Sequence, residues 1–123
     1  MEQLTSLLLH SRTQTHSFHL GQRGVGSFSA HIALGNYYDT IGGLVDGLVE
    51  AYQGQYGLIK LQSVSGLDTN NDIKNVIAYF DKLIAAVAKL RKEEKLQMSW
   101  LQNDIDTVVT LLYSTKYKLV NLQ

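Results

Sequence analysis

Apolar residues recur at alternating intervals of three and four through four separate stretches of the chain, the spacing of one buried stripe on an α-helix. The first stretch, residues 2–22, places Leu4, Leu7, Leu8, Ser11, Thr15 and Phe18 on one side. The second, residues 27–53, carries Phe28, Ile32, Tyr38, Ile41, Val45, Leu48, Val49 and Tyr52. The third, residues 71–92, has the most regular pattern: Ile73, Val76, Ile77, Phe80, Leu83, Ile84, Val87 and Leu90. The fourth, residues 97–121, runs through Trp100 or Leu101, Ile105, Val108, Val109, Leu112, Leu119 and Val120, with Asp104 and Asp106 off the stripe.

What separates the stretches agrees with this division. Gly21, Gly24 and Gly26 crowd the first connection, where glycine supplies the positive φ angles that end a helix, and Ser27 is the expected cap of the second helix. Turn formers bracket residues 53–70, which reads as one long crossover anchored by Leu58 and Ile59. Asn70 or Asn71 is the expected cap of the third helix, and the mixed-charge run 91–95 reads as a solvated turn. The chain has no proline, and four amphipathic stripes of this kind are buried only against one another. The expectation is an all-α fold, a four-helix bundle forming one domain over residues 1–123.

Composition narrows the partners. Lysine plus arginine equals aspartate plus glutamate at 11 each, so the electrostatic footprint of a nucleic-acid binder is missing. With no cysteine, disulfides, thiolate metal sites and cysteine nucleophiles are excluded. Polar residues interrupt every apolar run well short of the roughly 20 residues that a membrane span needs. The N-terminus lacks the basic start and cleavage signal of a secretory peptide, so a cytoplasmic location is expected.

The candidate chemistry lies between His16 and Glu50. His19 and His31 flank the glycine-rich break and are expected to approach each other, while Asp46 and Glu50 stand one helical turn apart on one face. Two imidazoles and two carboxylates suit Fe(II), Mn(II) or Zn(II). On one helix His31 and Asp46 are about 22 Å apart at about 1.5 Å per residue. One chain therefore cannot close the site, whereas two chains packed antiparallel about a two-fold axis can. His16, one turn before His19, is the candidate residue to orient a ligand from behind or to fill a packing role. Gly35, Gly42, Gly43 and Gly47 inside the second helix each cost about 0.5–1 kcal/mol relative to alanine, and a close helix contact at the dimer seam is the expected compensation.

Thr15 to His19, Arg23-Gly24, Phe28-Ser29, His31, Tyr38, Asp46, Leu48 and Glu50 together resemble the signature of the first two helices of Dps-type miniferritins. The resemblance covers Thr15 to Ala51. It implies a ferritin-like bundle with a long crossover, and His19 and His31 of one subunit with Asp46 and Glu50 of its two-fold neighbour as iron ligands. It also implies oxidation and sequestration of Fe(II), with the dimers assembled into a shell. Leu20 stands where that family usually carries tryptophan. The chain is similar as well to small phage-encoded proteins of ferritin-like pattern. The competing expectation is a non-catalytic helical assembly protein, a phage structural or inhibitory factor. A third is capture of a small anion in a cleft lined by Arg23, His19 and Tyr37.

Overall fold

The computed structural model describes residues 1–64 and 66–123. Four α-helices follow in order: α1 (Glu2–Leu20), α2 (Ser27–Tyr56), α3 (Ile73–Leu90) and α4 (Ser99–Asn121), with a short 3-10 turn at Glu94–Leu96 before the last. No strand occurs among the described residues. α1 packs against α2 and α3, and α4 packs against the same two, an arrangement compatible with a four-helix bundle.

The third helix follows its pattern closely: Val76, Phe80, Leu83, Val87 and Leu90 are buried. They meet Leu4, Leu8, Phe18, Leu34, Tyr37, Ile41, Leu48, Leu101, Ile105, Val108, Leu112 and Leu119 in one core. Burying each large apolar side chain contributes roughly 1.5–3 kcal/mol, and this term holds the helices together. α1 also buries Ser11 and Thr15, whose hydroxyls donate to the carbonyls of Leu8 and Ser11 within their own helix, so neither is left unpaired.

The helix ends differ from expectation by a few residues. α3 starts after Asp72, whose carboxylate accepts the Lys74 N–H, so Asp72 is the cap in place of Asn70 or Asn71. Those asparagines sit in a stepped series before it: Asn70 N–H donates to Asp68, Asp72 N–H to Asn70, and Lys74 N–H to Asp72. At the start of α2 the capping residue is Gly26, at φ +81°, and the Ser27 hydroxyl donates to the Gly24 carbonyl instead of capping. α2 runs on to Tyr56, where Gly57 at φ +89° ends it. In the charged run, Glu93 accepts the Met1 ammonium and Arg91 pairs with Asp106 at 2.8 Å.

The connection between α2 and α3 lies along α1. Ser6 donates to the Gln62 carbonyl, the His10 ring bonds the Gly66 carbonyl, and the Gln14 amide donates to the Asp68 carbonyl. Gln62 and Asp68 return their N–H groups to Ser6 and Gln14. Of the two expected anchors only Ile59 packs on the core; Leu58 is almost fully exposed. Among the described residues, no helix is long and apolar enough to cross a membrane.

Candidate metal-binding face of the first two helices

α1 and α2 form an antiparallel hairpin, and the turn at Gly24 and Gly26, both at positive φ, brings the histidine ends together. The His19 and His31 rings stack at 3.6 Å between centroids with an interplanar angle of 19°. His19 Nδ1 lies 2.6 Å from the His31 carbonyl and His31 Nδ1 lies 2.9 Å from the His19 carbonyl. A carbonyl oxygen only accepts, so in each ring the proton is on Nδ1, and in the neutral imidazole Nε2 keeps its lone pair. This reciprocal pairing fixes both tautomers, as the outer hydrogen bonds of metal-binding histidines do.

Two glycines make the face possible. A Cβ at Gly35 would stand 3.1 Å from the His19 ring, and one at Gly42 would stand 3.3 Å from Arg12 Nε. The interior glycines 35 and 42 therefore admit side chains from α1. Gly43 and Gly47 have nothing near them within the chain, so the expected helix contact is not made there by the chain itself. Between the two glycine notches His16 stacks on Tyr38 at 4.1 Å, and its ring centroid is 6.1 Å from that of His19. Tyr38 also meets His19 edge-on at 5.2 Å. The recurrence of glycine inside a helix signalled a close contact, expected at a dimer seam; at Gly35 and Gly42 the contact is with α1 side chains of the same chain instead. The place of Arg12 and the stacking of His16 on Tyr38 were not legible in the sequence.

Asp46 and Glu50 are exposed on α2. With Phe28, Ile32 and Asp39 they follow spacings of four and seven, which places all five on one outward stripe. Phe28 is 76% exposed and Ile32 53% exposed, so these two residues, expected in the core, lie on this stripe. Among the described residues no three potential metal ligands come together within the chain. The structure thus unites His19 with His31 and sets the carboxylate pair apart from them.

Tyr37 does not line a cleft. It is fully buried, its hydroxyl 2.7 Å from Ser11 Oγ, and burial pushes its phenol well above the ordinary range. A cleft of about 790 Å³ does lie beside Arg23, lined by Leu20, Gln22, Asn71 and Asp72, but neither His19 nor Tyr37 faces it. The anion cleft expected from Arg23, His19 and Tyr37 is therefore not formed.

A family model described as a family of unknown function (DUF5856) matches residues 24–119, most of the chain. His31, Asp46 and Glu50 fall inside that match, while His16 and His19 precede it. The expected membership of the Dps-type or ferritin-like family is corrected by this result, since no Dps or ferritin family matches. The resemblance rested on about thirty-seven residues around one hairpin, and ligand spacing on two helices is a shorter pattern than a family. No curated protein and no solved structure matches the chain.

Proposed function

The chain belongs to DUF5856, a family of unknown function, and we propose that it binds a divalent first-row metal, iron foremost, at a site shared by two chains. His19 and His31 of one chain and Asp46 and Glu50 of a second are the ligands. The observation that carries this reading is the reciprocal Nδ1 pairing: in the neutral rings it leaves both Nε2 lone pairs to a metal, side by side on one stacked pair. Imidazole and carboxylate together suit Fe(II), and Zn(II) or Mn(II) as well. His16, stacked on Tyr38 beside His19, orients the pair without binding metal.

Iron is cargo or substrate in this reading. Sequestration needs only the four donors. Oxidation by dioxygen or peroxide from solution removes one electron from each ion, and the two carboxylates offset the charge gained. We read the connection laid along α1 as the long crossover of a ferritin-like bundle topology, which leaves the hairpin face open to a second copy in a homo-oligomer. A reducing cytoplasm, which keeps iron divalent, is the matching compartment.

Anaerobic Fe(II) titration tests the site. Bound iron should scale with the number of chains, and His31→Ala or Asp46→Ala should each lose most of the affinity. Mixing the two variants should restore one intact site per heterodimer and leave the other doubly damaged. No recovery although heterodimers form, or no metal bound by the wild type, would refute the reading in favour of a non-catalytic assembly protein.

A further inference from the structure

The hairpin face carries charges that the chain does not pair. Among the described residues Arg12 makes no ion pair, and Asp39, Asp46 and Glu50 on the outward stripe of α2 make none either. Arg12 lies against Gly42, His16 against Tyr38, and His19 against Gly35, so the level of each α1 side chain along α2 is fixed.

These levels determine what a second copy would meet. This step rests on the shared site proposed above, in which His31 of one chain approaches residues 46 to 50 of the other. In an antiparallel pair of α2 helices the two-fold axis must then cross α2 midway between those positions, around residue 39 or 40. Asp39 falls at the axis, where two copies of it face each other. Like charges so placed are destabilising unless a cation stands between them. Arg12 sits at the level of Gly42, three residues from Asp39, or about 5 Å along the helix. The two-fold carries that level onto residues 36 to 38 of the other chain, one to three residues before its Asp39. Each guanidinium therefore comes beside the carboxylate that needs it.

The same register sets the two ends of the stripe against each other. Phe28 and Ile32, both exposed, fall opposite the levels of residue 50 and residue 46. Gly43 and Gly47 leave α2 without side chains on either side of Asp46, open to a second backbone at close range.

We propose that the partner of this face is a second copy of the chain, docked antiparallel along α2 with its axis near Asp39, and that Arg12 of each chain pairs with the partner's Asp39. Acid and base then alternate around the axis, Arg12 and Asp39 of one chain against Asp39 and Arg12 of the other, and the same patch meets itself as a two-fold interface requires.

Charge reversal tests the pairing. Arg12→Glu sets two carboxylates against Asp39, and Asp39→Arg sets two guanidiniums together. Each variant alone should weaken dimerisation by about tenfold or more, as juxtaposed like charges do at interfaces. Mixed together, the two variants form a heterodimer with both pairs of opposite sign, which should associate as tightly as wild type. A pairing within one chain gains nothing from mixing, so the mixture separates the two cases. The chain carrying both substitutions should also dimerise with itself, and helix content by circular dichroism should match wild type throughout.

Sedimentation velocity is run in EDTA and again with Mn(II). A mixture no tighter than the single variants, or a wild-type monomer at tens of micromolar in both buffers, overturns the proposal. Charge rescue with no Mn(II) bound supports the register and removes the metal site. Mn(II) bound across chains without charge rescue removes the register alone.

Discussion

Replacing Gly35 with alanine separates the space the histidine pair needs from the general effect of glycine in a helix. In an unobstructed helix, Gly→Ala stabilises by about 0.5–1 kcal/mol. At position 35 the new Cβ would stand 3.1 Å from His19 Cε1 and 3.2 Å from Nδ1, so the ring must shift by a few tenths of an ångström. The ring has little freedom, because it is stacked at 3.6 Å on His31 and bonded at 2.6 Å to the His31 carbonyl. Losing that hydrogen bond costs about 1 kcal/mol, and weakening the stack costs about 0.5–1.5 kcal/mol. The loss outweighs the propensity gain, and Gly35→Ala should destabilise by about 1 kcal/mol. Gly43→Ala is the control: nothing approaches its Cβ position, so in the metal-free monomer it should stabilise by about 0.5–1 kcal/mol. Urea denaturation in EDTA at sub-micromolar concentration measures both. If the two substitutions shift the midpoint equally and in the same direction, the close fit of His19 against Gly35 is wrong.

Two further outcomes follow from the interior and the connection. Tyr37→Phe should cost about 1 kcal/mol at neutral pH, because the phenol loses Ser11 while Ser11 still donates to Leu8. The folded phenol is held protonated by burial, so its contribution is complete below about pH 10 and falls as pH rises beyond it, where the unfolded chain ionises. The loss of stability between about pH 9 and pH 11 should be smaller in the phenylalanine variant, and an equal loss would refute the assignment. The Asn75 amide, and after it the Asn70 N–H, hold the Asp68 carboxyl below its ordinary range. The stability this adds is present above about pH 4 and disappears as pH falls through the folded value. In Asn75→Ala an NMR titration should find the Asp68 midpoint moved up, and an unmoved midpoint would show that the amide is not the cause.

α3 was the most legible element because Val76, Phe80, Leu83, Val87 and Leu90 belong to one face and its outer positions are polar or small. α2 was legible as a helix but not in its orientation. Its core is Ala30, Ala33, Leu34, Tyr37, Ile41, Val45, Leu48 and Tyr52, while Phe28 and Ile32 share the same helical period on the opposite side. Period alone does not assign a phase when both faces carry apolar residues. The meeting of His19 and His31 could be read from the glycine-rich turn between them, but their stacking and reciprocal bonds could not. Those depend on the absence of a side chain at Gly35, and a sequence shows a glycine without showing what occupies its space. His10 is drawn to the Gly66 carbonyl because the connection runs beside it, a contact that no spacing along α1 indicates.

Ser6, His10 and Gln14, which hold that connection, recur every four residues along α1, whereas Arg12, His16 and His19 occupy the side roughly 150° away at 3.6 residues per turn. The two sets make opposite demands on a single cylinder. A rotation of α1 about its own axis that carried its histidines toward or away from α2 would draw Ser6 and Gln14 off backbone groups that have no regular secondary structure to replace them. The irregular segment thus acts as a torsional clamp, and the direction in which His16 and His19 point is governed from the far side of the helix.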